Sequence, residues 1–316
     1  MAQLQQCLQW KWNVDMLPDM HCLSVWRIWL VVWVFASGMA AATEKPLIYV
    51  GLPPQRWLVQ QLAGERVQTG LLLAPGQNPH TFEPSARQVK EFTAAQGFLM
   101  MGLPFERALV QKVKAINPGL RVIDMAAGVP RRMQHAHASG EKDDDGCCEG
   151  ADPHVWLTPA AMGIMASNTV QALLTFDPEG KDFYTARNAA LQARLTRLDA
   201  ELRVLLLPVR GGVLLTYHAS WGYFADAYGL RQLVIEAEGR APAARQLAAL
   251  IDQASQAQVR KVFTEPPYDP RPSQTVANQI HAEVAVIDPL AEEWDANLLE
   301  ISRQVCAALL PKAAAK

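Results

Sequence analysis

Short apolar runs alternate along this chain with longer stretches whose apolar residues recur at helical spacing. In the first half, each run has the length and bounding turn residues of a buried strand. The predicted strands of this half lie at 47–51, 67–73, 97–101 and 121–124. Most are separated by a segment long enough for a helix, which is typical of parallel strands connected by crossover helices. The first half therefore predicts an α/β unit.

A single long helix is predicted in the middle of the chain. No proline or glycine occurs from Asp182 to Leu206, and leucines recur there at steps of four and three, which makes one helical face apolar. These leucines are Leu191, Leu195, Leu198, Leu202 and Leu205. Such a helix spans about 37 Å, roughly the diameter of a small domain. Pro208 ends it, and we expect it to join two lobes.

A second alternating set follows this helix. Its predicted strands are 212–217, 233–235, 262–264 and 284–288, and its predicted helices are 241–256 and 295–310. The simplest interpretation is an α/β protein with an N-terminal lobe at 43–181, a linker helix at 182–207 and a C-terminal lobe at 208–316. One large doubly wound sheet is the structural alternative.

The first residues have the layout of a secretory signal peptide. From Met20 a short polar start ends at Arg27, an apolar run covers 28–35, and small residues fill 36–42. The apolar run is shorter than the roughly 20 residues needed to span a bilayer. We expect 1–42 to be the signal peptide, with 1–19 not translated, and the mature protein to be free in the periplasm. The alternative is an uncleaved membrane anchor.

Composition narrows the class of protein. The net charge is -2 and 50% of the residues are hydrophobic, so neither a disordered chain nor a basic nucleic-acid surface is indicated. Outside the leader three cysteines remain, an odd number for an oxidising compartment. The adjacent Cys147 and Cys148 can close a strained ring, bind metal or pair with another chain. Cys306 lies in an apolar helical stretch, where we expect a buried small residue.

Three of the seven histidines lie in polar or turn-forming contexts. His80 follows a predicted strand in a loop of proline and glycine, His218 ends the strand 212–217, and His154 stands in an Asp-Pro-His sequence. Ligands of open α/β sheets bind at the carboxyl ends of the strands, so His80 and His218 are expected to converge on one cleft. Imidazoles with one carboxylate suit tetrahedral Zn2+, whereas an oxygen-rich shell favours Mn2+.

Two acidic residues are candidates for a further ligand. Asp288 ends the strand 284–288, and Glu265 occupies the equivalent position on the neighbouring strand. Both are expected at the cleft, because the carboxyl ends of parallel strands share one edge of the sheet.

Five motifs resemble, in order, those of the zinc and manganese solute-binding proteins of ABC importers. They are Asn78-Pro-His-Thr-Phe-Glu-Pro-Ser85, Asp152-Pro-His-Val-Trp-Leu157, Tyr217-His-Ala-Ser-Trp-Gly-Tyr-Phe224, Phe263-Thr-Glu-Pro266 and Asp288-Pro-Leu290. The resemblance covers nearly the whole mature chain. It implies two lobes of parallel sheet with flanking helices, joined by one long backbone helix, with the metal in the cleft between them.

Carried over residue by residue, the resemblance implies a ligand set of His80 and His154 from the first lobe and His218 and Asp288 from the second. A glutamate at the third position goes with manganese sites in this family, so His218 indicates the zinc branch. Some zinc members use water as the fourth ligand, or a glutamate just before the first histidine, where this chain has Pro79. Glu265 is expected to orient a ligand and is held in reserve as an alternative one.

The segment 131–151 is expected to be a disordered loop. Zinc members of the family often carry a loop rich in histidine and acidic residues at this place. The candidate ligands here are His135, His137, Asp143, Asp144, Asp145, Cys147 and Cys148. Either they collect Zn2+ weakly and pass it to the cleft, or the loop is a solvated insertion.

The function implied by the resemblance is capture of Zn2+ in the periplasm and its delivery, without chemistry, to the membrane permease of an ABC transporter. We expect a monomer. One alternative is a manganese-binding homologue. Another is a secreted zinc hydrolase, since three histidines and a water also form catalytic sites, but the chain has no His-Glu-x-x-His pattern.

Overall fold

The computed structural model describes residues 44–133, 151–236 and 242–310, and these form two four-stranded parallel sheets. The first sheet has the order β2-β1-β3-β4 and the second the order β6-β5-β7-β8. The strands are β1 Leu47–Val50, β2 Gln68–Leu71, β3 Gly97–Met100, β4 Arg121–Asp124, β5 Val213–Thr216, β6 Arg231–Val234, β7 Lys261–Thr264 and β8 Glu283–Val286. The prediction of two α/β units is confirmed, and the single large sheet is excluded.

Four helices accompany the first sheet and form with it what we term the first lobe. They are α1 Pro53–Ala63, α2 Ala86–Phe92, α3 Pro104–Lys114 and α4 Pro159–Phe176. Proline occupies the first turn of α1, α3 and α4, where its missing N–H has no intrahelical partner to lose. Ser85 caps α2 by accepting the backbone N–H of Gln88.

The next helix, α5 Lys181–Leu206, is the long helix that the leucine spacing predicts. Leu191, Leu195 and Leu202 on its apolar face are buried. They pack it against α4 and against the C-terminal helix, α9 Trp294–Leu309. Helix α5 therefore joins the two sheets in sequence and contributes to the core along its length.

The second sheet carries the remaining helices, and we term this part the second lobe. These helices are α6 Gly222–Tyr228, α7 Ala244–Gln256, α8 Arg271–Gln279 and α9. Helix α6 ends at Gly229, whose φ of 69° is the left-handed conformation that glycine adopts at low cost. The strand expected at 233–235 begins two residues earlier, at Arg231.

The two faces of the second sheet pack into different hydrophobic cores. Leu214 of β5 and Phe263 of β7 belong to the large core that also contains the first sheet and α5. Val213 and Leu215, the neighbours of Leu214, belong to a smaller core on the opposite face. This division follows from the alternation of side chains along a strand, and it makes the large core continuous between the two lobes.

Tryptophans connect the lobes next to this shared core. The indole N–H of Trp156 donates to the carbonyl of Pro289 at 2.7 Å, and that of Trp294 donates to the carbonyl of Trp156 at 2.9 Å. The rings of Trp57 and Trp294 lie 5.3 Å apart. The buried indole N–H groups of Trp156 and Trp294 thus each donate to a carbonyl of the other lobe, and these hydrogen bonds fix how the lobes pack.

The expected signal peptide, 1–42, and most of the expected loop, from 134 to 150, lie outside the described residues. Among the residues that the structure describes, no helix is both long enough and apolar enough to cross a membrane.

Truncating the apolar face of α5 should destabilise the protein. We expect Leu202→Ala, at a fully buried position, to lower the free energy of unfolding by about 2–5 kcal/mol, because it leaves a cavity between α5 and its neighbours. Val204→Ala on the same helix is the matched control, since Val204 is 74% exposed. Chemical denaturation of both variants measures the difference, and equal losses would contradict the packing of α5 described here.

Candidate metal centre

The structure brings His80, His154 and His218 together from three separate parts of the chain. Their candidate ligand nitrogens all lie within 4.8 Å of one another. The Nε2 atom of His218 is 3.0 Å from that of His80 and 3.3 Å from that of His154. His154 and His218 are buried, whereas His80 is exposed at the rim. The three Nε2 atoms thus face one common point.

His80 is held by the turn that follows β2. Pairing with β1 continues past β2, because the N–H groups of Leu72 and Leu73 donate to the carbonyls of Val50 and Gly51. The chain then turns, and the side-chain oxygen of Asn78 accepts the backbone N–H of His80 at 2.9 Å. This turn carries the imidazole from the end of the first sheet to the two buried histidines.

His154 is oriented by a buried carboxylate two residues before it. One oxygen of Asp152 accepts the backbone N–H of His154 at 3.0 Å and its ring Nδ1–H at 2.8 Å. The side chain of Asp152 is fully buried. Because an ionised carboxylate only accepts hydrogen bonds, this contact places the ring proton on Nδ1 and leaves Nε2 free to bind a cation.

His218 follows β5 and has an equivalent partner. Its Nδ1 contacts the carboxylate of Glu236, which is 5% exposed. Glu236 follows β6, the strand next to β5, and its own N–H donates to the carbonyl of Tyr217 at 3.0 Å. The hydroxyl of Thr216 donates to the carbonyl of His218 at 2.8 Å. Here too Nε2 is the nitrogen left without a proton.

The electrostatics of the cluster favour a bound cation. Partial burial of its ring at the contact with His218, together with the neighbouring imidazoles, lowers the pKa of His80, and burial lowers the pKa of His154. These rings are therefore neutral at neutral pH. Nε2 lone pairs that point at one site repel one another unless a positive ion lies between them. Nitrogen ligands in this number are typical of Zn2+ sites.

The two acidic candidates, Asp288 and Glu265, are not in the group whose ligand atoms lie within 4.8 Å of one another. One oxygen of Asp288 accepts the N–H of Leu290 at 2.8 Å, and burial raises the pKa of its carboxyl group. Glu265 contacts the turn after His218, where it accepts the hydroxyl of Ser220 at 3.2 Å and the indole N–H of Trp221 at 3.3 Å. Burial raises the pKa of Glu265 to about 8.

Tyr268, in the loop after β7, lies beside the cluster. Its ring centroid is 5.1 Å from that of His218 and 5.1 Å from that of Tyr217. Burial raises the pKa of its hydroxyl, and a hydrogen bond with the Asn78 side chain opposes this shift. Tyr268 therefore contacts one histidine directly and the turn that holds another.

The contacts of Asp152, Glu236 and Tyr268 with the cluster were not predicted from the sequence. Two of them had a recognisable signal: Asp152 begins the Asp-Pro-His motif, and Glu236 directly follows the strand predicted at 233–235. Tyr268 had none, because nothing in a Pro-Pro-Tyr sequence indicates a contact with a distant histidine. The loop candidates at positions 135, 137, 143–145, 147 and 148 lie outside the described residues.

Comparisons with known proteins agree with this geometry. The model of one protein family, described as "ZnuA: Zinc-uptake complex component A periplasmic", matches residues 48–309. The zinc-binding protein AdcA of Streptococcus pyogenes is 25% identical over 285 residues, which cover 86% of this chain and 55% of AdcA. This chain thus spans about half the length of that relative.

Two further comparisons cover more of the related protein. The high-affinity zinc uptake system protein ZnuA of Paracoccus denitrificans is 25% identical over 266 residues, which are 74% of this chain and 80% of that protein. A crystal structure of a zinc-bound ZnuA deletion mutant superimposes with a TM-score of 0.78 at 32% identity, covering 85% of this chain and 99% of the other. With a family match across both lobes and the three histidines, this chain belongs to the ZnuA family of periplasmic zinc-uptake components.

Proposed function

We propose that this protein captures Zn2+ in the periplasm and delivers it to the membrane permease of an ABC transporter. The observation that carries the proposal is the convergence of three Nε2 atoms from His80, His154 and His218. Buried carboxylates hold the Nδ1 atoms of two of these rings. Such carboxylate–histidine pairs orient the ligands of metal sites and raise their basicity.

Zinc fits this donor set better than manganese. Three imidazole nitrogens and one oxygen make a tetrahedral shell suited to Zn2+, whereas Mn2+ is better served by a shell rich in oxygen. The names of AdcA and of the Paracoccus ZnuA, and the zinc in the related crystal structure, support the same choice.

For the fourth ligand we retain Asp288. It follows β8 at the same edge of the second sheet as His218, and its second carboxylate oxygen is not engaged by the Leu290 N–H. Water and Glu265 are the alternatives. The loop residues His135, His137, Asp143, Asp144, Asp145, Cys147 and Cys148 remain proposed as weak auxiliary ligands.

Capture without catalysis is the activity that the site supports best. Burial raises the pKa of Glu265 to about 8, which leaves this carboxyl group protonated at neutral pH. A zinc hydrolase needs an ionised general base beside the metal-bound water. We therefore propose a binding protein whose partner is the permease, and the family description as an uptake component supports this partner. The monomeric state stays an expectation from the sequence.

Zinc titration of the purified protein tests the site. We expect one tight site in the wild type, and a loss of affinity of about 100-fold or more in His80→Ala and in His218→Ala, since removing a residue bound to the metal should cost more than removing one that only orients it. The double variant His135→Ala with His137→Ala is the control and should keep the affinity of the cleft.

The same titration examines the fourth ligand. Asp288→Ala should weaken binding less than loss of a histidine, and X-ray absorption should show that one oxygen neighbour is replaced by water. Undiminished binding by His80→Ala and His218→Ala would refute the assignment of the site.

Removal of the charge beside His218 should weaken zinc binding. We expect Glu236→Gln to lower the affinity about 10–100-fold, because a neutral amide holds the Nδ1–H less strongly and leaves the imidazole less basic. Glu265→Gln is the matched control: the raised pKa of Glu265 means that a neutral amide replaces a neutral acid. Equal losses in the two variants would contradict this role of Glu236, and a larger loss in Glu265→Gln would indicate that Glu265 is a direct ligand.

Zinc affinity should depend only weakly on pH near neutrality. The lowered pKa values of His80 and His154 keep these rings neutral, so protons compete with the metal at these two rings only well below the ordinary imidazole value of about 6.5. Affinity should fall as the solution is made more acidic than this. Competition titrations against a chelator of known pH dependence measure the profile, and a steep loss between about pH 8 and pH 7 would contradict it.

A further inference from the structure

The stretch just before His154 pairs with residues 132 and 133, which lie about twenty positions earlier in the chain. Met133 and Ala151 make an antiparallel bridge, and the N–H of Asp152 donates to the carbonyl of Arg132 at 2.8 Å. We define these residues, Arg132 and Met133 with Ala151 and Asp152, as the neck. It ends two residues before His154, so its placement affects the placement of that ring.

The guanidinium of Arg132 bridges two carboxylates of different lobes. Its Nη1 lies 3.3 Å from one oxygen of Asp152, and its Nε donates to Asp226 of α6 at 2.8 Å. The other oxygen of Asp152 is the one that accepts the Nδ1–H of His154. A continuous series of polar contacts therefore runs from α6, through Arg132 and Asp152, to His154.

A second contact ties the neck to the same helix. The hydroxyl of Tyr223 in α6 accepts the N–H of Arg132 at 2.9 Å and donates to the carbonyl of Asp152 at 3.3 Å. Helix α6 starts at Gly222, shortly after His218. The neck that precedes one buried histidine is thus fastened to the helix that follows the other.

Gly222 leaves the space that the guanidinium occupies. A Cβ atom added at Gly222 would lie 2.3 Å from Nη1 of Arg132 and 2.5 Å from its Cζ. The obstructed group is the end of a flexible side chain, so an alanine there would displace Arg132 without displacing the backbone. This provides a way to break the bridge while Arg132 itself is kept.

The two arms of the bridge differ in strength. The side chain of Asp152 is 0% exposed and that of Arg132 is 21% exposed, whereas that of Asp226 is 63% exposed. A buried pair loses much when one partner is removed, because a charge is left without compensation. The arm to Asp226 is screened by water and contributes less. A lysine cannot replace the bridge, since its compact ammonium lacks the planar fork that reaches both carboxylates.

We propose that Arg132 is a positioning residue that fastens the neck to α6 and slows the release of the bound metal, an inference that rests on the proposed capture of Zn2+ by the three histidines. Release of zinc requires its bonds to the buried rings of His154 and His218 to break. Through Asp152 and α6, Arg132 holds the segments that carry these two rings. Breaking the bridge accelerates dissociation and alters the geometry at the metal.

Stopped-flow transfer of zinc from the full chain to an excess of chelator tests this proposal. We expect Arg132→Gln to raise the dissociation rate about tenfold, the lower end of the range for outer-shell partners. Arg132→Lys should resemble Arg132→Gln. Arg131→Gln is the matched control, because it removes the same charge from the adjacent position, where the guanidinium lies 3.9 Å from Asp124. Its rate should equal that of the wild type.

Three further variants change α6 and leave Arg132 in place. Gly222→Ala should raise the rate as Arg132→Gln does, and the double variant should add nothing, since both changes remove the same contact. Tyr223→Phe and Asp226→Asn should each give about a twofold rise, because each removes one weaker contact. If Arg132→Gln does not fold, these three variants test the role of Arg132 in its place.

Cobalt spectroscopy separates positioning from a general loss of stability. Co2+ bound by the three histidines absorbs visible light with bands that report ligand geometry, and Arg132→Gln should change these bands while Arg131→Gln leaves them unaltered. Unchanged bands and rates in Arg132→Gln, or full restoration by Arg132→Lys, would overturn the role of Arg132. If the wild type itself binds no metal at the histidines, the proposed function fails instead.

Discussion

The contact between an imidazole Nδ1 and a buried carboxylate is the interaction on which the candidate site depends. Asp152 makes it with His154 and Glu236 makes it with His218. Each carboxylate fixes the tautomer of its ring and directs the Nε2 lone pair to a common point. Burying two carboxylates is costly unless they are compensated, so the fold supplies Arg132 beside Asp152, and a bound cation completes the balance of charge.

The two sheets can bring these histidines and carboxylates to one point because they share one topology. In each, the order reverses between the first and third strands, and the carboxyl ends of the strands form the edge where ligands bind in open α/β sheets. Each lobe also buries a glutamate near this edge. Glu106 accepts the N–H groups of Met101, Gly102 and Leu103, and Glu265 accepts Ser220 and Trp221. The shared core and the paired tryptophans then hold the two edges face to face.

Much of this was predictable from local patterns. The apolar runs predicted each strand to within a few residues. The signal is best explained for the central strands β1, β3, β5 and β7, which are mostly buried, because a strand buried on both faces needs a continuous apolar sequence. The leucine spacing predicted α5 almost to its ends, Lys181 and Leu206. The histidines were recognisable because His80 and His218 follow strands and all three lie in family motifs. The acidic ligand was harder to identify, since several carboxylates, Asp288 and Glu265 among them, end strands at the same edge.

By itself, then, the sequence determined the α/β class, the two sets of strands, the long helix between them and the three histidines, because periodicity and motif are properties of neighbouring residues. Only the tertiary structure decided which carboxylate faces which ring. Glu236 reaches His218 because β6 lies beside β5, and Arg132 reaches Asp226 across 94 positions of the chain. Such contacts depend on how strands are ordered and how lobes pack, and no local pattern of residue types specifies them.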